Sequence, residues 1–321
     1  MSSDSVVALD VVIRALTIGS TCVLVGLLPV ALLVLRPTAT AAPVSERPTP
    51  EVLRLRRILA IAAATGLVAA VASTVRLAQT FHTLAPAESV LATVGALLRS
   101  DLGAWTAVRI PTLAALAVVI TATWRSNRPQ ERYLVGSNAA AWAPLAVLLC
   151  VSLPMTGHAW ARGGAIGVAV DAVHIGAGSV WLAGVIALAV VVPAGLRTGK
   201  ASRRRELLLG AAVAFSRVAV VAVAVAVTTG VVQAALGGVR LEEVLGSTWG
   251  TAAAAKLWLF TAVLAAGLVN HRVLVRGLDR ARSRVQVQES SSLLLMSVSL
   301  EVVLGVALVV AAAVLVSVPQ P

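Results

Sequence analysis

The chain has 321 residues, of which 59% are hydrophobic and only 12% charged, with a mean hydropathy of +0.93. Soluble domains carry about 25% charged residues, so this composition excludes an ordinary soluble globular protein. The formal net charge of +12 invites a nucleic-acid reading, but the placement of the basic residues gives no support to nucleic acid as a partner.

A membrane-crossing helix needs about 20 mostly apolar residues. Eight blocks qualify or nearly so, near 6–35, 58–81, 103–124, 138–153, 166–192, 207–236, 250–270 and 292–318. The first is preceded by Met1–Val6, which carries Asp4 and no basic residue. Lacking a basic leader and a small-residue cleavage site, it reads as a retained span, not a signal peptide. The fourth block is the shortest and ends at Pro154. No stretch between blocks is long enough for a separate soluble domain. The pattern predicts an all-α polytopic membrane bundle of about eight helices, a single integral membrane domain over 1–321 bathed in lipid.

Alternate loops divide the basic residues unequally. Arg36, Arg47, Arg54, Arg56 and Arg57 follow the first block; Arg125, Arg128 and Arg132 follow the third. Arg197, Lys200, Arg203, Arg204 and Arg205 follow the fifth, and Arg272, Arg276, Arg280, Arg282 and Arg284 the seventh. The other loops hold only Arg99, Arg162 and Arg240. Cytoplasmic loops carry the Lys/Arg excess, so both termini are expected outside, in a multi-pass inner (plasma) membrane protein.

Ionisable groups inside spans are functional candidates by default because they are costly unless paired. On the helical rise, Arg14, Arg76, Arg109, Asp171, His174 and Lys256 fall roughly 8–12 Å below the outer surface. Arg217 and Glu301 lie deeper, about 12–15 Å from the cytoplasmic ends of their helices. Arg76 and Arg109 read either as snorkelling side chains or as members of the polar layer. Asp10 and Arg14 share a helix face and are expected to pair. Arg217 and Glu301 are expected to form a buried ion pair, or part of an inner gate, with Lys256 a third candidate for that role. Cys22 and Cys150, both in apolar blocks, read as small buried hydrophobes, with a disulfide or soft-metal role as the alternative.

The segment from Met155 to Trp181 is the richest. Met155, Thr156, Gly157 and His158 open an outer loop, and the next helix carries Asp171, His174, Gly178 and Trp181 on one face. Imidazole suits copper and thioether sulfur favours its cuprous form, which makes Met155, His158, Asp171 and His174 candidate metal-site residues. The competing reading is that His174 only bonds between helices. His82 reads as interfacial and His271 as a non-ligand.

At these residues the chain resembles the copper resistance protein D (CopD) family of bacterial inner-membrane proteins. The resemblance covers about 139–319, through Gly157-His158-Ala159, Asp171-x-x-His174 with Trp181 and Gly184, and Phe215-Ser216-Arg217. It continues through Thr229-Gly230, Trp249-Gly250 with Lys256, Asn270, Glu301 and Pro319. The spans within 6–153 match only generically. The resemblance implies copper uptake or resistance, with a separate periplasmic carrier of the CopC type as partner, and raises His158 and His174 as copper ligands. Asp171 would orient His174 or offset the ion's charge, while Trp181, Gly184 and the Thr229-Gly230 pair would serve packing. The expectation is a copper permease, not an enzyme, accepting the copper ion at the outer face. Two other functions fit the residues: a b-type haem protein with outer arginines on the propionates, and a membrane scaffold that docks a copper chaperone. No phosphate-binding Gly-x-x-x-x-Gly-Lys motif supports an ATP-driven pump.

Overall fold

The computed structural model describes residues 3–35, 50–84, 90–125, 139–197, 201–237, 242, 246–281 and 283–318. Of the loop cations above, Arg36, Arg47, Arg128, Arg132, Lys200, Arg240 and Arg282 lie outside these residues, as does Pro319. The side chains of His158, Arg162, Arg197, Arg203, Arg204 and Arg284 also lie outside what is described.

The chain runs through α1 (Ser3–Val30), α2 (Pro50–Leu84), α3 (Val90–Arg99), α4 (Asp101–Arg125) and α5 (Ala139–Ser152). It continues with α6 (His158–Arg197), α7 (Ala201–Leu236), α8 (Thr248–Val269), α9 (Val275–Arg280) and α10 (Arg284–Ser317). No strand occurs among the described residues. Eight helical stretches there are long and apolar enough to cross a membrane. With no water in the hydrocarbon layer, only a helix satisfies every backbone group within its own segment. This is why long apolar blocks of mixed Val, Ala and Leu resolve into helices despite the β preference of valine.

Local chemistry sets the ends and breaks. Ser283 caps α10 with a capping box: its Oγ accepts from the Gln286 amide at 3.2 Å and its own amide donates to Gln286 Oε1 at 3.2 Å. Ser247 caps α8, accepting from the Gly250 amide at 2.9 Å. Pro29 lacks the N–H that α1 would use, and the helix widens just beyond it into a π-helical turn, Ala31–Leu35. The last turn of α8 opens likewise into a π-helical segment, Asn270–Leu274.

The core lies where α1 and α6 cross and α2, α4, α5, α7 and α10 close around them. Leu24, Leu27, Leu59, Leu116, Trp142 and Val185 are fully buried there. The Trp142 indole N–H donates to the Leu24 carbonyl at 2.9 Å, which binds α5 to α1 and gives the buried ring's polar edge a partner. Helices in lipid associate through close packing rather than hydrophobic drive, so small residues mark their tightest contacts. At Gly26 a side-chain methyl would run into the Ser179 carbonyl of α6 and come within 2.7 Å of the Ala183 methyl. The short helix α3 falls between the second and third spans, where sequence reading placed only a loop. It is tied to α2 by the His82 Nδ1–Thr93 Oγ1 contact of 3.3 Å.

Candidate functional site

Two polar clusters form near the face of the bundle at which α1 begins, the face that the loop charges assign to the outside. The first joins α1, α2, α4 and the end of α5. Arg76 Nε donates to Asp10 Oδ1 at 3.0 Å, and Arg76 Nη1 donates to Gln79 Oε1 at 3.2 Å. The Asp10–Arg14 pair expected from their i, i+4 spacing is therefore replaced by a pair across helices, and Arg14 lies on the outside of the bundle. Arg109 does not snorkel. Its side chain is buried, and it donates from Nε to Ser152 Oγ at 3.2 Å and from Nη2 to the Ser152 carbonyl at 2.5 Å and to Thr156 Oγ1. Those acceptors are the loose end of α5 and the 3₁₀ turn Pro154–Thr156 that follows it. A forked cation thus holds the turn that carries Met155 and leads into His158.

The second cluster joins α6 and α7. Gly164, with φ of 53° and ψ of −142°, breaks α6 after its first turns. That left-handed conformation is open to glycine at no steric cost. It separates the stretch beginning at His158 from the main shaft carrying Asp171 and His174. His174 Nδ1 lies 3.0 Å from the Ala226 carbonyl oxygen and 3.1 Å from Thr229 Oγ1, both on α7. A carbonyl only accepts, so Nδ1 carries the proton. The Thr229 hydroxyl spends its own hydrogen on the α7 backbone, chiefly the Val225 carbonyl at 2.7 Å. Nε2 is thereby the nitrogen with the lone pair, the form in which histidine binds a metal. The ring packs over Gly230, where an added methyl would lie 3.5 Å from Cε1.

Asp171 stands one turn away but does not bond His174, against the orienting role expected for it. Its Oδ1 accepts from Gln233 Nε2 at 3.0 Å, because Gln233 follows Thr229 by one turn of α7 and shares its face. Lys256 of α8 acts electrostatically on both Asp171 and His174. Its helix packs chiefly along α10, the helix that carries Glu301. Met155 sits half-buried in the turn held by Arg109. Among the described residues, no three His, Cys, Asp or Glu side chains gather into a metal cage. Cys22 and Cys150 are buried and free, without a disulfide.

The expected Arg217–Glu301 ion pair is not formed. Glu301 points into the seam between α10 and α8, where Asn270 Nδ2 donates to its Oε1. Arg217, on α7, is exposed. Equal depth placed the two residues together in sequence, but azimuth around the helix separates them. The partners that sequence reading missed, Ala226, Thr229, Gln233 and Asn270, are neutral. Thr229 and Gln233 did carry a signal, as two polar residues one turn apart near the end of an apolar span. Trp181, beside Gly305, and Gly184, whose added methyl would enter the Phe215 ring, are packing positions.

An eight-span helical bundle with a metal-competent histidine held between two helices defines a multi-pass membrane protein. Residues 209–315 match the family description copper resistance protein D. Residues 3–168 match copper resistance protein D-like, N-terminal domain. The chain belongs to the copper resistance protein D family, a family of copper-handling membrane proteins, and the likeness reaches the N-terminal spans that sequence reading left generic. No curated protein and no solved structure matches the chain.

Proposed function

We propose that this protein imports copper, receiving the ion at the outer face and passing it inward, with His174 as the receiving ligand. The observation that carries the reading is the fixed tautomer of His174. Its Nδ1–H is committed to Ala226 and Thr229, which leaves Nε2 without a partner among the described residues. A histidine that only bonds two helices would make the same Nδ1 contacts; the lone pair left on Nε2 is what lets His174 take a metal as well. Met155, on the turn anchored by Arg109, and His158, the first residue of α6, stand at the same end of the bundle and are soft and borderline donor types suited to entry. A periplasmic carrier of the CopC type would deliver the ion there.

The outer arginines do not oppose this route. Arg76 is taken by Asp10 and Arg109 by Ser152 and Thr156, so their charges are anchored to the first five helices instead of the His174 cluster. The Asn270–Glu301 contact provides a second polar level deeper in the bundle, suited to an inner gate. Orientation follows from the basic loops: cysteines introduced at Ser202 and Ser283 should resist an impermeant thiol reagent in intact cells, and labelling from outside would reverse the topology.

The central test is whole-cell copper accumulation in a strain lacking the gene, restored with the native chain or with His174→Ala. The native chain should raise accumulation, and His174→Ala should not, at equal membrane levels of the two proteins. Full activity of His174→Ala would remove His174 from the route and favour a docking scaffold.

A further inference from the structure

At the end of the bundle that the loop charges assign to the cytoplasm, α2 and α4 meet in a contact that the copper route does not use. Arg56 lies about 9 Å in from the start of α2, and Trp124 is the last residue but one of α4. The two helices pack along one another. The Arg56 guanidinium carbon stands 5.8 Å from the centre of the Trp124 ring, within range of a cation–π interaction. The stack fixes the cation in place but leaves its hydrogen bonds unmade. Among the described residues Arg56 enters no ion pair and no hydrogen bond, and its Nε is buried without a partner. The Trp124 indole nitrogen is also buried and unpartnered. Arg76, Arg109 and Arg205 likewise bridge helices or turns, and each of them finds acceptors.

Polar groups buried without a partner are costly, and this contact holds two. Both are donors, so the missing component is an acceptor. One of them belongs to a full positive charge, so the acceptor that fits is an anion. Of the Arg56 nitrogens only Nε is sealed from the surroundings, which leaves the terminal pair open to an incoming group.

We propose that Arg56 and Trp124 form a binding site for the phosphate of an anionic phospholipid in the inner leaflet. The neighbouring faces favour a lipid over a soluble anion. On α2, Arg57 and Ile61 are one turn apart and share an outward face; on α4, Val118 and Arg125 share another. Ile61 and Val118 are each 65% exposed and lie deeper in the membrane than the arginines, where acyl chains run. Arg57 and Arg125 are exposed at the headgroup end. An anionic lipid therefore meets apolar side chains along its tails and guanidinium groups at its phosphate. The basic loops on this side add the general attraction of a cationic surface for anionic lipid, but the stacked Arg56 offers a fixed point within it.

The experiment titrates phosphatidylglycerol into the full-length protein in a neutral detergent and reads bound lipid by native mass spectrometry. Phosphatidylcholine, whose phosphate is offset by choline, and glycerol phosphate, which lacks acyl chains, are run in parallel. Phosphatidylglycerol should be retained in preference to phosphatidylcholine, and glycerol phosphate should not displace it. Arg56→Gln should weaken binding on the order of thirtyfold, the worth of a charge-assisted hydrogen bond. Arg57→Gln should weaken it by about fivefold, the worth of one cation near a membrane surface. Trp124→Phe changes no charge and should still weaken binding several-fold, since it removes the indole N–H and the stronger π face. Equal losses in Arg56→Gln and Arg57→Gln, or native binding in Trp124→Phe, would reduce the site to general surface charge and overturn the proposal. Equal retention of phosphatidylcholine would overturn it too, and displacement by glycerol phosphate would replace the lipid with a soluble anion. If Arg56→Gln does not insert, Trp124→Phe against the native chain carries the same comparison.

Discussion

Gly26 offers a direct test of the packing that positions the site. Its α-carbon faces α6 so closely that an alanine methyl would overlap the Ser179 backbone carbonyl and approach the Ala183 methyl to 2.7 Å. Neither neighbour can rotate aside, since one is helix backbone and the other is fixed to it. To reach ordinary contact, α1 and α6 must separate by on the order of 1 Å along a seam in which Leu24, Ala183 and Val185 are 0% exposed. Overpacking of this kind costs typically ~1–3 kcal/mol, and Gly26→Ala should fall at the upper end because backbone has to move. Thermal unfolding of the detergent-purified protein, followed by tryptophan fluorescence, measures it. Gly178→Ala is the control, since a methyl there meets nothing within 4 Å. That substitution should leave stability unchanged or raise it by up to about 1 kcal/mol, the helix preference of alanine over glycine. Native stability in Gly26→Ala, or equal damage in both variants, would refute the close crossing.

Asn270→Leu should destabilise the protein by about 1–3 kcal/mol, because it strands the buried Glu301 carboxyl without its partner. Arg217→Gln should stay within about 0.5 kcal/mol of native, as expected for a side chain on the outside of the bundle. Losses of equal size in the two variants, measured by thermal unfolding, would restore the ion-pair reading. Arg109→Met should lower stability by about 2 kcal/mol through its lost charge-assisted bonds to Ser152 and Thr156. Arg109→Lys should recover part of this in the same assay, since an ammonium reaches one acceptor well but lacks the fork.

The number and placement of the spans were legible because membrane insertion depends on length and apolarity, both one-dimensional properties. Depth is also a one-dimensional property, and helical rise alone sets the level expected for each of Asp171, His174 and Lys256. Azimuth was not legible. Whether Arg217 or Asn270 meets Glu301 depends on how α7 and α8 are rotated against α10, and rotation is set by packing contacts such as Gly184 on Phe215. The cross-helix partner of Asp10 was missed for a related reason. Spacing of i, i+4 makes a local pair available, but packing of α1 on α2 brings Arg76 Nε to 3.0 Å from Asp10 Oδ1, while Arg14 is exposed. The helix α3 escaped because ten residues are too few to span a membrane and its apolar face rests on α4, with Leu97 against Gly103.

Helix α8 is the least buried of the eight spans, with 6% of its apolar window inside the bundle, and it packs chiefly along α10. It carries Lys256 toward one end and Asn270, at its π-helical turn, toward the other, separated by about 20 Å of helical rise. Both polar positions thus ride on one helix whose place in the bundle is set chiefly by its seam with α10. A substitution that loosened that seam would disturb Lys256 and the Asn270–Glu301 contact together while leaving the α1–α6 crossing at Gly26 in place.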